Sequence, residues 1–334
     1  MSLASWRPLL APYLRPNRGR AIRQLIDSVG SYLVLWALMA WTVTISWWLS
    51  IPIAILSGAV LVRVFIIFHD CGHGSFFASR RANRFWGRLT GVLSFTPFEQ
   101  WRKEHATHHL STGNLDRRGV GDIWTMTVEE YKSAKPMRRL SYRVARNPLV
   151  LLLIAPLVLF VLEQRIPKAG SKPEELRSVW WTTLFILVWG TAWSLLIGFL
   201  PFLILQLTIL AVAGAIGIWL FYSQHQFDGA YWQRASDWDF ETAALRGSAF
   251  LKLPRVLQWF TGNIGFHHIH HLDSRIPNYH LQACHESHPR FQEVEPLTLL
   301  GSLRAFGFKL WDEASGRLVG FDDIDLKPDR LAGC

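Results

Sequence analysis

The sequence predicts an all-α integral membrane protein: four transmembrane helices in two hairpins, re-entrant or interfacial helices between them, and a helical cap on the cytoplasmic side. Three observations predict this. Half of the 334 residues are apolar and only 18% are charged, yet the formal net charge is +10. Residues 28–62 and 178–224 contain no Asp, Glu, Lys or Arg. The 13 His are absent before His69 and between His109 and His225, so they gather at the ends of these apolar runs. Such a composition excludes a disordered tail and an ordinary soluble enzyme. Three Cys (Cys71, Cys284 and Cys334) cannot build a disulfide framework, which points to a reducing compartment.

The first apolar run extends to Phe68 with only Arg63 interrupting it, and the second covers 178–224. A single span needs about 20 apolar residues, so each run holds two helices folded back on themselves. Pro52 marks the first hairpin, and Gly198 with Pro201 the second. Spans are expected near 31–49, 51–69, 179–199 and 201–223. The first run is too long for a signal peptide and no small-residue cleavage site follows a short apolar stretch. The expected division is a cytoplasmic N-terminal segment 1–30, a membrane domain 31–290 and a cytoplasmic C-terminal segment 291–334.

Lys and Arg orient the spans. Five lie in residues 1–27, fourteen in 69–146, four in 163–178 and eleven in 223–334, and the hairpin connections carry none. With four spans these segments all fall on one side, and the positive-inside rule makes that side the cytoplasm, with both termini there. Arg63 lies about 9 Å of helix rise before the cytoplasmic end, within reach of the interface by snorkelling. The stretch 147–162 contains Pro156 and has borderline length. If it crossed, the positive charges would split between the two sides, so it is expected to be re-entrant or to lie in the interface.

The histidines carry the chemistry. His69 and His73 are four residues apart, His105, His108 and His109 form one HxxHH cluster, and His267, His270 and His271 form another. Residues at i, i+3 and i+4 share a helix face, so each set presents its imidazoles together, while His268 points about 100° away. His225 closes the last span. Nine imidazoles exceed what one metal ion can use, but suit two ions with four or five ligands each. Imidazole serves Zn, Cu, Fe and Ni, so ligand type leaves the metal open. A lone HxxxH is common on ordinary helices. Three such clusters on one membrane face are the signal. His280, His285 and His288 lack the shared-face pattern and are expected at the surface.

The segments HDCGHGSF (69–76), HATHHLSTGN (105–114) and GNIGFHHIHHLDSRIPNY (262–279) resemble the three histidine boxes of the membrane fatty acid desaturases. The likeness is greatest to the bacterial and plastid-type acyl-lipid desaturases, including the Δ12 (omega-6) group. It runs in order from about residue 30 to 290, and FYSQHQF (221–227) resembles the segment before the third box. The resemblance implies a di-iron site in the cytoplasmic cap, using O2 and two electrons to remove two hydrogens from an acyl chain. Its iron ligands would be His69, His73, His105, His108, His109, His267, His270 and His271, with His225 as the ninth. Asn263 would hold a metal-bound water. Asp70, Glu104, Asp116 and Asp273 lie beside the boxes, where they could orient imidazole N–H groups. Phe68, Phe76, Phe77, Trp101 and Phe266 are candidates to line the acyl path.

An unactivated methylene C–H offers no acidic proton, so the oxidant must be assembled from O2 at a metal. Electrons must come from outside: the chain has no nucleotide-binding glycine fingerprint, no cysteine cluster and no HPGG haem motif. The basic cytoplasmic surface suits an acidic donor such as ferredoxin, and equally anionic lipid headgroups. The expected substrate is an acyl chain on a lipid rather than on CoA or acyl carrier protein, and the expected location is a bacterial inner membrane. A histidine-box hydroxylase or carotenoid ketolase would begin with the same chemistry. A metal transporter would need ionisable residues in mid-membrane, and the spans have no Asp, Glu or interior His. No compact basic patch points to nucleic acid.

Overall fold

The computed structural model describes residues 6–324. Four helices are long and apolar enough to cross a membrane: α1 (Arg18–Val43), α2 (Trp47–His73), α6 (Pro173–Ile197) and α7 (Phe199–His225). Between the pairs lie α3 (Arg80–Leu93), α4 (Phe98–Ser111) and α5 (Pro136–Ala145), and after them α8 (His267–Leu272) and α9 (Asn278–Glu286). The expected count of four spans and the helical architecture both hold.

The first hairpin differs in register. Its helix starts at Arg18, where the Asn17 side chain accepts from the Arg20 N–H, and ends at Val43. The chain turns at Thr44–Ser46, and Thr42 Oγ1 meets Ser50 Oγ at 2.9 Å across the turn. Pro52 therefore does not make the hairpin. It sits inside α2, where its missing N–H removes one early bond of the ladder, a loss that transmembrane helices tolerate. At the second hairpin the helices do break at Gly198, which has φ +90°.

The spans α2 and α7 form the centre. They approach so closely at Gly58 that an added Cβ would stand 2.7 Å from the Val212 Cβ. Toward the end remote from the histidines, Trp36 stacks on Trp193 and Phe202, with ring centroids 4.8 and 6.0 Å apart. Arg63 reaches out of α2 to Trp259, donating to its carbonyl and lying 4.4 Å from the ring centroid.

Residues Val150–Arg165 form a helix with π-helical turns, bent 62° from α5. Leu151 packs with Tyr222 near the histidine end of α7. Pro156 packs against Gly214, about 12 Å deeper along that helix. Phe160 then meets Phe65, one turn before His69, and Arg165 donates to the Phe95 carbonyl. The segment thus packs along α7 and ends beside Phe65 of α2, set at a sharp angle to α5.

Two small sheets, which the sequence did not announce, tie the end of the described chain to the histidine layer. β1 (Met126–Thr127), β4 (Leu310–Asp312) and β5 (Arg317–Val319) form one in the order β1-β4-β5, while β2 (Phe250–Leu251) pairs in parallel with β3 (Pro296–Leu297).

Candidate metal centre

Each histidine cluster is placed by a helix end. His69 and His73 close α2, His105, His108 and His109 occupy the last two turns of α4, His225 closes α7, and His267, His270 and His271 lie on the short α8. The structure brings all nine together in two groups. His69, His73, His105, His109 and His270 make one, and His108, His225, His267 and His271 make the other. Within each group the ligand-type nitrogens lie within 4.8 Å of one another.

In the five-membered group, Nε2–Nε2 separations are 3.3 Å for His69–His73, 3.1 Å for His105–His109 and 3.0 Å for His109–His270. In the four-membered group, His267 Nε2 lies 3.0 Å from His225 Nε2 and 3.1 Å from His271 Nε2. Burial foremost, then the neighbouring imidazoles, pushes His105, His109, His267, His270 and His271 well below the ordinary imidazole pKa. These rings are neutral at neutral pH, which is the ligating form.

Outer partners fix which nitrogen faces inward. His225 Nδ1 lies 3.0 Å from the Gly247 carbonyl, which can only accept, so Nδ1 carries the proton and Nε2 the lone pair. His69 Nδ1 meets Asp70 Oδ1 at 3.1 Å, and His108 Nδ1 meets Asp122 Oδ1 at 2.5 Å. Nε2 of His108 is buried with no hydrogen-bond partner among the described residues. Inward lone pairs, neutral rings and an orphaned buried nitrogen are the chemistry of a donor set that fits metal cations.

Of the four carboxylates proposed to orient imidazoles, Asp70 does so, and it also accepts from the Asn278 backbone and side-chain N–H groups. Asp116 is instead bound to Arg234 and the Ala235 N–H, and Asp273 to Arg275. Glu104 makes no hydrogen bond to an imidazole among the described residues, and burial raises its pKa. Asp122, which the sequence reading missed, comes from a glycine-rich loop fourteen residues after His108. Gly121 lets that loop approach: it has φ +70°, and a Cβ there would stand 3.2 Å from the Glu104 carbonyl oxygen and 3.3 Å from the His108 Cβ.

Asn263 adopts φ +61° in the turn before α8, a conformation that Asn tolerates, and its amide nitrogen donates to the Asn278 carbonyl at 3.2 Å. Beside it, Gly265 admits the Leu251 carbonyl oxygen to 2.5 Å of where a Cβ would be, setting the third cluster against β2. His268 turns away from both groups, as its spacing required, and its Nε2 lies 3.1 Å from His285 Nδ1. His285 is consequently buried rather than superficial, since it fills the space behind α8. His280 is half-buried against Tyr279, and His288 is half-buried with its Nδ1 accepting from the Arg290 N–H.

The aromatic candidates divide. Trp101 stacks on His105, with centroids 4.3 Å apart. Phe68 packs on Trp101, Phe76 and Phe77 pack on each other, and Phe266 stacks on Phe250. Phe221, not singled out from the sequence, touches both His108 and His225. With Ile123 and Trp232 it lines a small space against the four-membered group.

Comparison with known proteins agrees with this geometry. The family described as fatty acid desaturase matches residues 46–298. A fatty acid desaturase of Bacillus subtilis (strain 168) is 40% identical over 322 residues, covering 96% of this chain and 92% of that one. The sn-1 acyl-lipid omega-3 desaturase (ferredoxin) of Synechocystis sp. is 26% identical over 83% of this chain and 77% of its own. The sn-1 oleoyl-lipid 12-desaturase of Picosynechococcus sp. is also 26% identical, over 81% of this chain and 77% of its own. Four apolar helices ending in two histidine groups, and relatives matched along nearly the whole length, place the chain in the fatty acid desaturase family: it is a membrane enzyme that introduces a double bond into a fatty acyl chain.

Proposed function

We propose that the nine imidazoles hold two iron ions, five ligands at one and four at the other, and that the substrate is an acyl chain carried on a membrane lipid. The observation that carries this reading is the division of the histidines into two compact groups at the ends of the spans. Bound there, iron would supply the oxidising chemistry by which O2, two electrons and two protons convert a CH2–CH2 pair into a cis double bond and two waters. The chain's own residues hold and shield. Gly247, Asp70 and Asp122 keep the Nδ1 protons outward and the Nε2 lone pairs inward. The buried four-membered group, with Phe221 beside it, excludes water from where the chain would react.

Several finer features belong to the same reading. The Lys and Arg distribution supports an orientation with the histidine end and both termini in the cytoplasm, and the membrane in this reading is a bacterial inner membrane. An acidic one-electron carrier of the ferredoxin class would then deliver electrons from that side. The ferredoxin and acyl-lipid descriptions of the relatives support this choice of donor and carrier. Asn263, held in the turn before α8 by its bond to the Asn278 carbonyl, would hold a metal-bound water beside the third cluster.

The test is the fatty acid profile of a host without polyunsaturated lipids, expressing this chain with a ferredoxin system. A new diene in the lipid fraction is expected. A hydroxylated product, or the diene confined to acyl-CoA, would overturn the lipid-desaturase reading. His270→Ala should abolish the product while the protein still inserts in the membrane; an active variant would remove His270 from the ligand set.

A further inference from the structure

Arg146 is 1% exposed, and no carboxylate partners it among the described residues. A buried guanidinium is costly unless its donors are satisfied; here carbonyl oxygens take both terminal nitrogens, while Nε has no partner among the described residues. Nη1 donates to the Trp124 carbonyl at 3.2 Å, and Nη2 donates to Gln226 Oε1 at 2.8 Å and to the Phe308 carbonyl at 3.0 Å. The Tyr222 and Tyr142 rings lie 4.9 and 5.8 Å from its central carbon. Its own carbonyl accepts from Lys309 Nζ at 2.6 Å, and burial, with Arg146 close by, lowers that amine to about 8.

The three acceptors are not arbitrary. Gln226 follows His225 directly, and its Nε2 donates to Thr125 Oγ1 at 3.2 Å. Trp124 and Thr125 stand two and three residues after Asp122, whose carboxylate holds His108. Gln226, Asp122, His108 and His225 line one small space. One guanidinium therefore joins the two segments that aim His108 and His225, and fastens both to Phe308, two residues before β4.

We propose that Arg146 is a positioning residue for the four-membered histidine group, acting through Gln226 and the Asp122 loop so that this group retains its metal. The proposal rests on the two-ion reading above. Its planar fork reaches three carbonyl acceptors at once, which the single ammonium of a lysine does not reproduce. The five-membered group owes nothing to it, because His69, His73, His105, His109 and His270 make no hydrogen bond to these partners among the described residues.

The test is the iron content of the full chain, purified in detergent without oxygen and loaded with ferrous iron. Wild type should hold two ions per chain. Arg146→Met and the milder Gln226→Leu should each hold about one, with an unchanged size-exclusion profile, and neither should lower the count further when combined with His225→Ala. Gln226→Glu, which keeps an acceptor for Arg146, should restore the second ion. Two ions in Arg146→Met and Gln226→Leu would overturn the proposal, and so would loss of both ions, which would mean a general structural role. Fewer than two ions in the wild type would instead strike the two-ion reading itself, and the proposal with it.

Discussion

The nine imidazoles were legible in the sequence because the 3.6-residue period converts spacings of three and four into a shared face. What orients them was not. Asp70 adjoins a ligand candidate in sequence, but Asp122 reaches His108 only because the glycine-rich loop folds back on α4. Asp116 and Asp273, both nearer to a box in sequence than Asp122, are held by arginines instead. Asp122→Asn should therefore lower activity or metal affinity about 10- to 100-fold, since the amide can present a donor to Nδ1 and favour the wrong tautomer. Asp116→Asn should leave turnover near wild type. Steady-state desaturation and iron titration of the two variants check the contrast, and equal effects would contradict the assigned partners.

At the level of elements, charge-free runs revealed the spans, whereas their ends depended on local bonds that hydropathy does not report. Pro52 was a plausible break, but the Thr44–Ser46 turn and the Thr42–Ser50 contact place the hairpin earlier. The short strands escaped notice because two- or three-residue strands carry no periodicity. Parity of charge identified 147–162 as an unusual segment, and its seat is now specific. Pro156 lies against Gly214 of α7, and a Cβ there would fall 2.3 Å from the Pro156 Cβ. Gly214→Val should dislodge the 150–165 segment at a cost of about 1–3 kcal/mol. Thermal unfolding in detergent, with protease susceptibility around residues 163–172, reads this; an unshifted midpoint would mean that the two elements are not packed as described.

Across the whole molecule, the histidine layer joins distant parts of the sequence: α2, α4, α7 and α8 all end or lie there. Its metal load should then support global stability, because a ligand bound by the folded form alone stabilises it by about 2.7 kcal/mol at a hundred times its dissociation constant. Stripping iron with a chelator should lower the unfolding midpoint, and ferrous iron should restore it. An unchanged midpoint would show that the layer is held by packing alone. Composition foretold the layered arrangement of apolar spans and basic cap. It could not foretell that the two groups draw their members from overlapping sets of helices, since that depends on which face of α4 and α8 each side chain leaves.

That sharing sets an order in time. α8 supplies His270 to one group and His267 with His271 to the other. During synthesis, neither group has its full complement until α8 has left the ribosome, long after the residues of the first hairpin. On the two-ion reading, maturation of this enzyme is a late event: the hairpins insert as apo-protein, and both ions reach their full ligand sets only after α8 is in place. A product terminated before α8 would reach the membrane yet remain permanently unloaded.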